Sequence, residues 1–178
     1  MDILQSVQQH YPTINAAAGE LLTKLSGTGV GKDIALAAGL AGLTLLRESA
    51  VDLANIPPGV GVLGAVPDEA SQNLSRFVFG FAKLNGLDPN QLDFDGIPVD
   101  LKRPQLDLIQ YEQPFLAVCQ KHGIHKELIP FTAAAAAGKL VGAGHQLGLL
   151  KPAIGLAMVL FHIAAGSKTV PHAVRTNE

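Results

Sequence analysis

The sequence predicts an all-α fold, and three features of the 178-residue chain lead to that expectation. Apolar residues recur three or four positions apart, and no segment alternates polar and apolar residues as a strand does. Proline and glycine cluster between these segments, where they end helices. Hydrophobic residues make up 48% of the chain and charged residues only 16%, so most helix faces have to pack against one another. We therefore expect a single helical domain over residues 1–178, a compact bundle of about seven helices.

The first half of the chain contains three predicted helices and an apolar connector. A short amphipathic helix, DILQSVQQ, ends at Tyr11-Pro12, and Thr13 caps a second helix, INAAAGELLTKL, which stops at a glycine cluster. Asp33 is expected to cap the third helix, IALAAGLAGLTLLRESAVDLAN. The stretch IPPGVGVLGAVPD follows, and its apolar residues predict a tight, buried connector.

The second half of the chain contains the remaining predicted helices. One helix begins at Asp68, and residues 87–104 after it form a long polar loop. The segment QLDLIQYEQPFLAVCQKHG is helical, with a break expected at Pro114 because proline lacks an N–H. The last two helices, KELIPFTAAAAAGKLVGAGHQLGLL and PAIGLAMVLFHIAAGS, meet at Lys151-Pro152.

Two Ala/Gly-rich apolar helical hairpins, residues 13–54 and 131–166, are expected to form the buried centre. A helix that is apolar all round has to be surrounded by other helices. The polar middle of the chain, residues 67–128, would cover these hairpins, and residues 167–178 form a polar tail. No uninterrupted apolar stretch reaches the roughly 20 residues that a membrane-spanning helix needs.

Glycines inside the apolar helices indicate close helix packing. An interior glycine costs a helix about 1 kcal/mol relative to alanine, and close packing can offset that cost. Gly138 and Gly142 lie on one helical face, which Ala134 extends, and this spacing lets two backbones approach. Gly39 and Gly155 are the other predicted packing residues. Alternatively, the glycines mark chain breaks and the segment is two short helices.

The two hairpins share a faint internal similarity. Residues 16–40 align with residues 135–159 without a gap, and both segments place a lysine just before an apolar helix. Either this is a repeated helical hairpin, or low-complexity Ala/Gly sequence has produced the match by chance.

Two short motifs resemble ligand-binding loops but lack the residues that binding needs. SGTGVGKD has Ser26 where a phosphate-binding loop has its first glycine and Asp33 where it has a magnesium-binding hydroxyl, and no strand precedes it. QLDFDG resembles a calcium loop, but Lys102 takes the place of the bidentate glutamate. We therefore interpret both as ordinary turns and predict no cofactor or metal.

His145 and His162 are the candidate ligand residues, since both lie in the most apolar helices. Either could hold a haem or a metal, but a hydrogen-bonded histidine in the core or at an interface is the more common reason for this pattern, and it is the interpretation we favour. Cys119 is the only cysteine and is expected to pack as a small apolar side chain. The sequence shows no nucleophile motif or carboxylate pair, so no catalytic residues are predicted.

The composition argues against a nucleic-acid-binding function. A net charge of −2 gives no basic face for nucleic acid, and the low aromatic content, 5%, disfavours stacking on bases. The N-terminus has neither a basic nor an apolar leader, which predicts a cytoplasmic protein, with a position at a membrane surface or within an assembly as alternatives.

We expect a non-enzymatic structural or interaction protein, a homo-oligomer or a subunit of a larger assembly whose partners are itself or other proteins. One alternative is a membrane-inserting or pore-forming protein that uses the hairpin 131–166. A second is a helical binding protein for an apolar ligand or a haem-like cofactor.

Overall fold

The computed structural model describes residues 2–25, 29–103 and 107–171, and these residues confirm the all-α prediction. Their regular structure is helical, apart from one isolated pairing of extended residues. The seven α-helices are α1 (Ile3–Gln9), α2 (Tyr11–Leu25), α3 (Val30–Glu48), α4 (Asp68–Leu84), α5 (Leu108–Lys121), α6 (Ile129–Gln146) and α7 (Pro152–Lys168).

Helix α3 forms the centre of the bundle. Every residue from 33 to 44 is buried, as the absence of charge in most of this stretch predicts. Helix α3 packs most extensively against α7 and then against α6. Helix α2 packs against α6 and α5, and α4 packs against α6. The two helices of the predicted hairpin 13–54 make few contacts with each other, because α3 lies against the later helices instead.

Helices α3 and α7 contact each other at two glycines. A β-carbon added to Gly42 would overlap the carbonyl oxygen of Ile163 and lie 2.7 Å from the backbone nitrogen of Ser167. A β-carbon added to Gly166 would overlap the carbonyl oxygen of Gly39. The backbones of the two helices are therefore in direct contact.

Helix α3 begins four residues earlier than predicted. Its N-cap is Gly29, whose φ of 107° lies in the region that favours glycine. Asp33 is inside the first turn and buried, so it is not the N-cap that the sequence suggested. A carboxylate in this turn is still favourable, since the helix dipole is positive there.

Two prolines that were expected between helices, or at a break in one, lie inside helices. Pro12 lies in the first turn of α2, which starts at Tyr11, so Thr13 is not a cap. Pro114 lies inside α5, which continues through it without a break. Pro114 and Gln110 are both exposed, so the carbonyl of Gln110, which loses its helical partner, can face water.

The connector after α3 is exposed, which corrects the prediction of a buried segment. Leu63 is 84% exposed. The connector is held instead by backbone hydrogen bonds to the end of α7, including Val62 N to Lys168 O at 2.7 Å and Val170 N to Val60 O at 2.9 Å. Its apolar residues therefore do not form a continuous part of the core.

Helix α6 is one continuous helix, so its glycines do not mark a chain break. The segments 16–40 and 135–159 both contain the later part of one helix and the start of a second, buried helix. The corresponding helices have different surroundings, because α2 packs chiefly against α6, whereas its counterpart α6 packs most extensively against α3. Among the described helices, none combines the length and apolar character needed to cross a membrane.

Candidate interaction surface

Helix α4 presents two different faces. Leu74, Val78 and Ala82 are buried and point towards the rest of the bundle. The neighbouring face lines two cavities, one at each half of the helix. Glu69 lies in the first turn of α4 and Lys83 in its last turn. Both charges are favourable with respect to the helix dipole, and they give the helix an acidic and a basic end.

The cavity at the C-terminal half of α4 is an apolar groove of about 330 Å³ between α4 and the first two helices. Its side chains are almost entirely aliphatic or aromatic, and Gln8 and the Tyr11 hydroxyl are the exceptions. We call it the apolar groove; it is lined by Leu4, Val7, Gln8, Tyr11, Phe77, Gly80, Phe81 and Leu84.

Aromatic contacts form the floor of the apolar groove. The ring of Phe77 meets that of Phe131 edge-on, with centroids 5.5 Å apart, and the ring of Phe81 lies 6.1 Å from that of Phe77. Phe81 fits against α6 because Gly138 has no side chain: a β-carbon there would lie 2.6 Å from Phe81 Cδ1. Gly138 therefore accommodates an aromatic ring of α4.

The cavity at the N-terminal half of α4 has an apolar floor and an acidic rim, and its volume is about 320 Å³. We call it the acid-rimmed cavity; it is lined by Ile3, Leu45, Glu48, Pro67, Glu69, Ala70, Asn73, Glu127 and Phe131. It adjoins the apolar groove, because Phe131 contacts Phe77 and because Ile3 and Leu4 are consecutive residues.

The rim of the acid-rimmed cavity carries excess negative charge. Lys126 is the cation paired with Glu48, at a distance of 4.0 Å, and its side chain is 76% exposed. The pKa of Glu48 is raised, mainly by burial; Lys126 opposes this shift, and the nearby Glu127 adds to it. The rim therefore favours a further positive charge.

Leu84 lies at the C-terminal end of the same face of α4. It is 79% exposed, and the neighbouring Lys83 is exposed too. Among the described residues, it is the one large, exposed apolar side chain that belongs to an α-helix. The others lie on loops or a short 3₁₀ turn: Val60, Leu63, Phe94, Val99, Leu147 and Leu149.

The predicted packing glycines have different environments. A β-carbon on Gly39 would lie 3.0 Å from two carbons of Leu108, and one on Gly155 would lie 2.8 Å from Val141. Ala134 is buried. Gly142 is the exception, since in the described part of the chain a β-carbon there would meet no atom within 4 Å. The expected close approach at Gly138 and Gly142 therefore does not extend to Gly142.

Sequence reasoning missed the two glycines where the backbones of α3 and α7 meet, Gly42 and Gly166. The available signal was that Gly39 and Gly42 lie three residues apart in an otherwise apolar helix. The sequence alone does not identify which helix contacts that face.

The two candidate histidines differ in burial. His145 is exposed, which corrects the expectation that both lie in the core. His162 is 1% exposed, and its Nε2 has no hydrogen-bond partner among the residues that the structure describes. Burial lowers the pKa of His162 to about 4, and a backbone hydrogen bond with Leu101 only partly offsets this effect. His162 is therefore neutral at pH 7.

Cys119 is buried in the core as expected. Burial raises the pKa of its thiol to about 12. The thiolate, which is the reactive form, is therefore scarce at neutral pH.

The glycine-rich SGTGVGKD segment has no phosphate-loop geometry in its described part. Gly31 and Lys32 belong to the first turn of α3, and the Nζ of Lys32 lies 2.9 Å from Asp107 Oδ2. The helix end expected at Gly27 lies outside the described residues, and α2 is described up to Leu25.

The acidic QLDFDG segment forms a turn in which Asp93 Oδ1 accepts a hydrogen bond from Gly96 N at 2.8 Å. Over residues 2–25, 29–103 and 107–171, no three His, Cys, Asp or Glu side chains are grouped in a way that could hold a metal ion.

Comparisons with protein-family models, with curated proteins and with solved structures gave no match.

Proposed function

We propose that this protein is a non-enzymatic interaction protein that works as a homo-oligomer or as a subunit of a larger assembly. The observation that carries this proposal is the surface along α4, where the apolar groove, the acid-rimmed cavity and Leu84 adjoin one another. Contiguous exposed apolar surface rimmed by polar residues is typical of protein–protein contact sites.

The composition of this surface resembles that of an interface core. Aromatic side chains line the apolar groove, no charged side chain is among the residues that line it, and Glu69 and Lys83 lie near the two ends of α4. Interface cores are enriched in aromatic residues and depleted of charge, with polar groups at the rim. A second protein would bury Leu84 and the open side of the groove together.

The experiment that tests this proposal measures the molar mass of the protein by light scattering over a concentration series, with and without detergent. A discrete oligomer in the absence of detergent is the expected result. Leu84→Gln should weaken it, whereas Leu149→Gln should not, because Leu149 is similarly exposed, at 65%, but lies on the α6–α7 loop.

A monomer at every concentration would contradict the homo-oligomeric form of the proposal. Assembly that requires detergent would favour the membrane-inserting alternative, in which the hairpin 131–166 meets lipid. A bound chromophore or stoichiometric metal in the purified protein would favour the ligand-binding alternative.

A further inference from the structure

We propose that two copies of the chain pair through antiparallel α4 helices, with Lys83 and Leu84 of each copy seated in the acid-rimmed cavity of the other. This inference rests on the proposed function and names its partner and surface. It follows from the chemistry of the two ends of α4 and from their spacing.

The two ends of α4 are chemically complementary. The acid-rimmed cavity combines an apolar floor with Glu48, Glu69 and Glu127 on its rim. The other end of the helix presents an exposed leucine next to an exposed lysine. Leu84 of a second copy would cover the apolar floor, and its Lys83 would neutralise the carboxylates.

The spacing along α4 fits a two-fold symmetric pair. In such a pair, if residue i of one copy contacts residue j of the other, then j also contacts i. Phe77 lies seven residues from Ala70 and seven from Leu84, which is roughly 10 Å in each direction along the helix. With Phe77 at the symmetry axis, Leu84 lies opposite Ala70 in the acid-rimmed cavity, and Lys83 lies beside Glu69.

The face between these ends can accept a second helix. Gly80 is exposed, and a β-carbon there would meet no atom of the described residues within 4 Å, so no side chain protrudes from the helix at this position. Arg76 lies seven residues from both Glu69 and Lys83, so it shares their side of α4, and it also lines a cavity with Asp68 and Phe79.

The electrostatics of the rim favour the same arrangement. Burial and Glu127 both disfavour the charged form of Glu48, and the one paired lysine is distant and exposed. A lysine from the second copy would stabilise the ionised rim. Partly exposed charge pairs of this kind are weakened by salt, so the dimer should dissociate more readily at high ionic strength.

The test is sedimentation velocity of the full chain over a concentration series, with four variants compared with the wild type. Lys83→Glu and Glu69→Lys should each weaken the dimer, with an increase in Kd of about tenfold for Lys83→Glu. The double variant should bind more tightly than Lys83→Glu alone, because each new glutamate then meets a new lysine. Lys24→Glu is the matched control, since Lys24 is an exposed lysine in the last turn of α2.

Each outcome distinguishes between the dimer surface and the proposed function. A wild-type oligomer whose Kd is unchanged in both single variants would overturn the α4 pairing and leave self-association intact. Loss of affinity without any recovery in the double variant would overturn the antiparallel register. A wild type that stays monomeric at every concentration would overturn both the pairing and homo-oligomerisation.

Discussion

Gly42 of α3 and Gly166 of α7 face each other where the two central helices cross, and neither position has room for a β-carbon. At each glycine the nearest atoms across the contact are backbone atoms of the other helix. Backbone atoms cannot rotate away as a side chain does, so this contact depends on glycine at both positions.

The first prediction compares Gly42→Ala with Gly142→Ala, the same change at a closed and an open helical site. Gly42→Ala should lower the free energy of unfolding by about 2 kcal/mol or more, because the new methyl group would overlap backbone atoms of α7. Gly142→Ala should raise it by about 0.5–1 kcal/mol, because alanine is the better helix former and its methyl group meets no neighbour. Urea denaturation measures both. Equal effects of the two changes would show that the α3–α7 contact is looser than described.

Local patterns in the sequence were sufficient to predict the helices and their apolar character. The run from Ile34 to Leu46 is uncharged, and it forms most of the buried central helix. The predicted start of that helix was wrong by four residues, because Asp33 is a good capping residue and Gly29 was a less obvious one. A local signal cannot distinguish between two acceptable helix starts.

The interaction surface could not be predicted in the same way, because it combines side chains from distant parts of the chain. The acid-rimmed cavity brings Glu48, Glu69 and Glu127 together from three segments. In the sequence, each of these glutamates looks like an ordinary charged residue near the end of a helix. Likewise, the apolar residues around His145 and His162 predicted that both lie in apolar helices. Only the packing of α6 and α7 shows that His145 is exposed.

The second prediction concerns the ion pair between α3 and α5. Arg47 Nε lies 2.9 Å from Glu112 Oε1, and Arg47 Nη2 lies 3.1 Å from Oε2, so the pair is bidentate. Glu112 is 7% exposed. Arg47→Met should lower the free energy of unfolding by about 2–4 kcal/mol, because it leaves a buried carboxylate without its cation.

The control for this ion pair is the double variant Arg47→Met/Glu112→Met. Replacing both partners removes the buried charge, so thermal unfolding should show most of the stability restored. A double variant as unstable as Arg47→Met alone would mean that packing of the arginine stem, and not the unpaired charge, causes the loss.

The third prediction concerns Lys32, the lysine of the glycine-rich SGTGVGKD segment. Its ion pair with Asp107 joins two side chains that are 36% and 38% exposed. Lys32→Ala should therefore cost less than about 1 kcal/mol of stability, and salt should reduce that cost. Isothermal titration with ATP and with GTP should show no binding to the wild type or to the variant. Micromolar binding that disappears in Lys32→Ala would restore the phosphate-loop interpretation.

The last prediction concerns the pH dependence of stability at His162. Its pKa in the folded protein, about 4, is lower than the ordinary value of 6.5 because the ring is buried. Between these two values the unfolded chain binds a proton that the folded chain excludes, so stability falls as the pH decreases from 6.5 to 4. A difference of this size corresponds to about 3 kcal/mol of lost stability. His162→Gln keeps a polar side chain but cannot titrate, so its free energy of unfolding should fall by about that much less over the same range.

The other ionisable groups are the same in both proteins, and the difference between the two urea-denaturation series therefore isolates His162. Suppose instead that the difference in the free energy of unfolding between the wild type and His162→Gln stays constant from pH 6.5 to pH 4. That result would mean that His162 can be protonated in the folded protein, and that its surroundings admit water or a counter-charge.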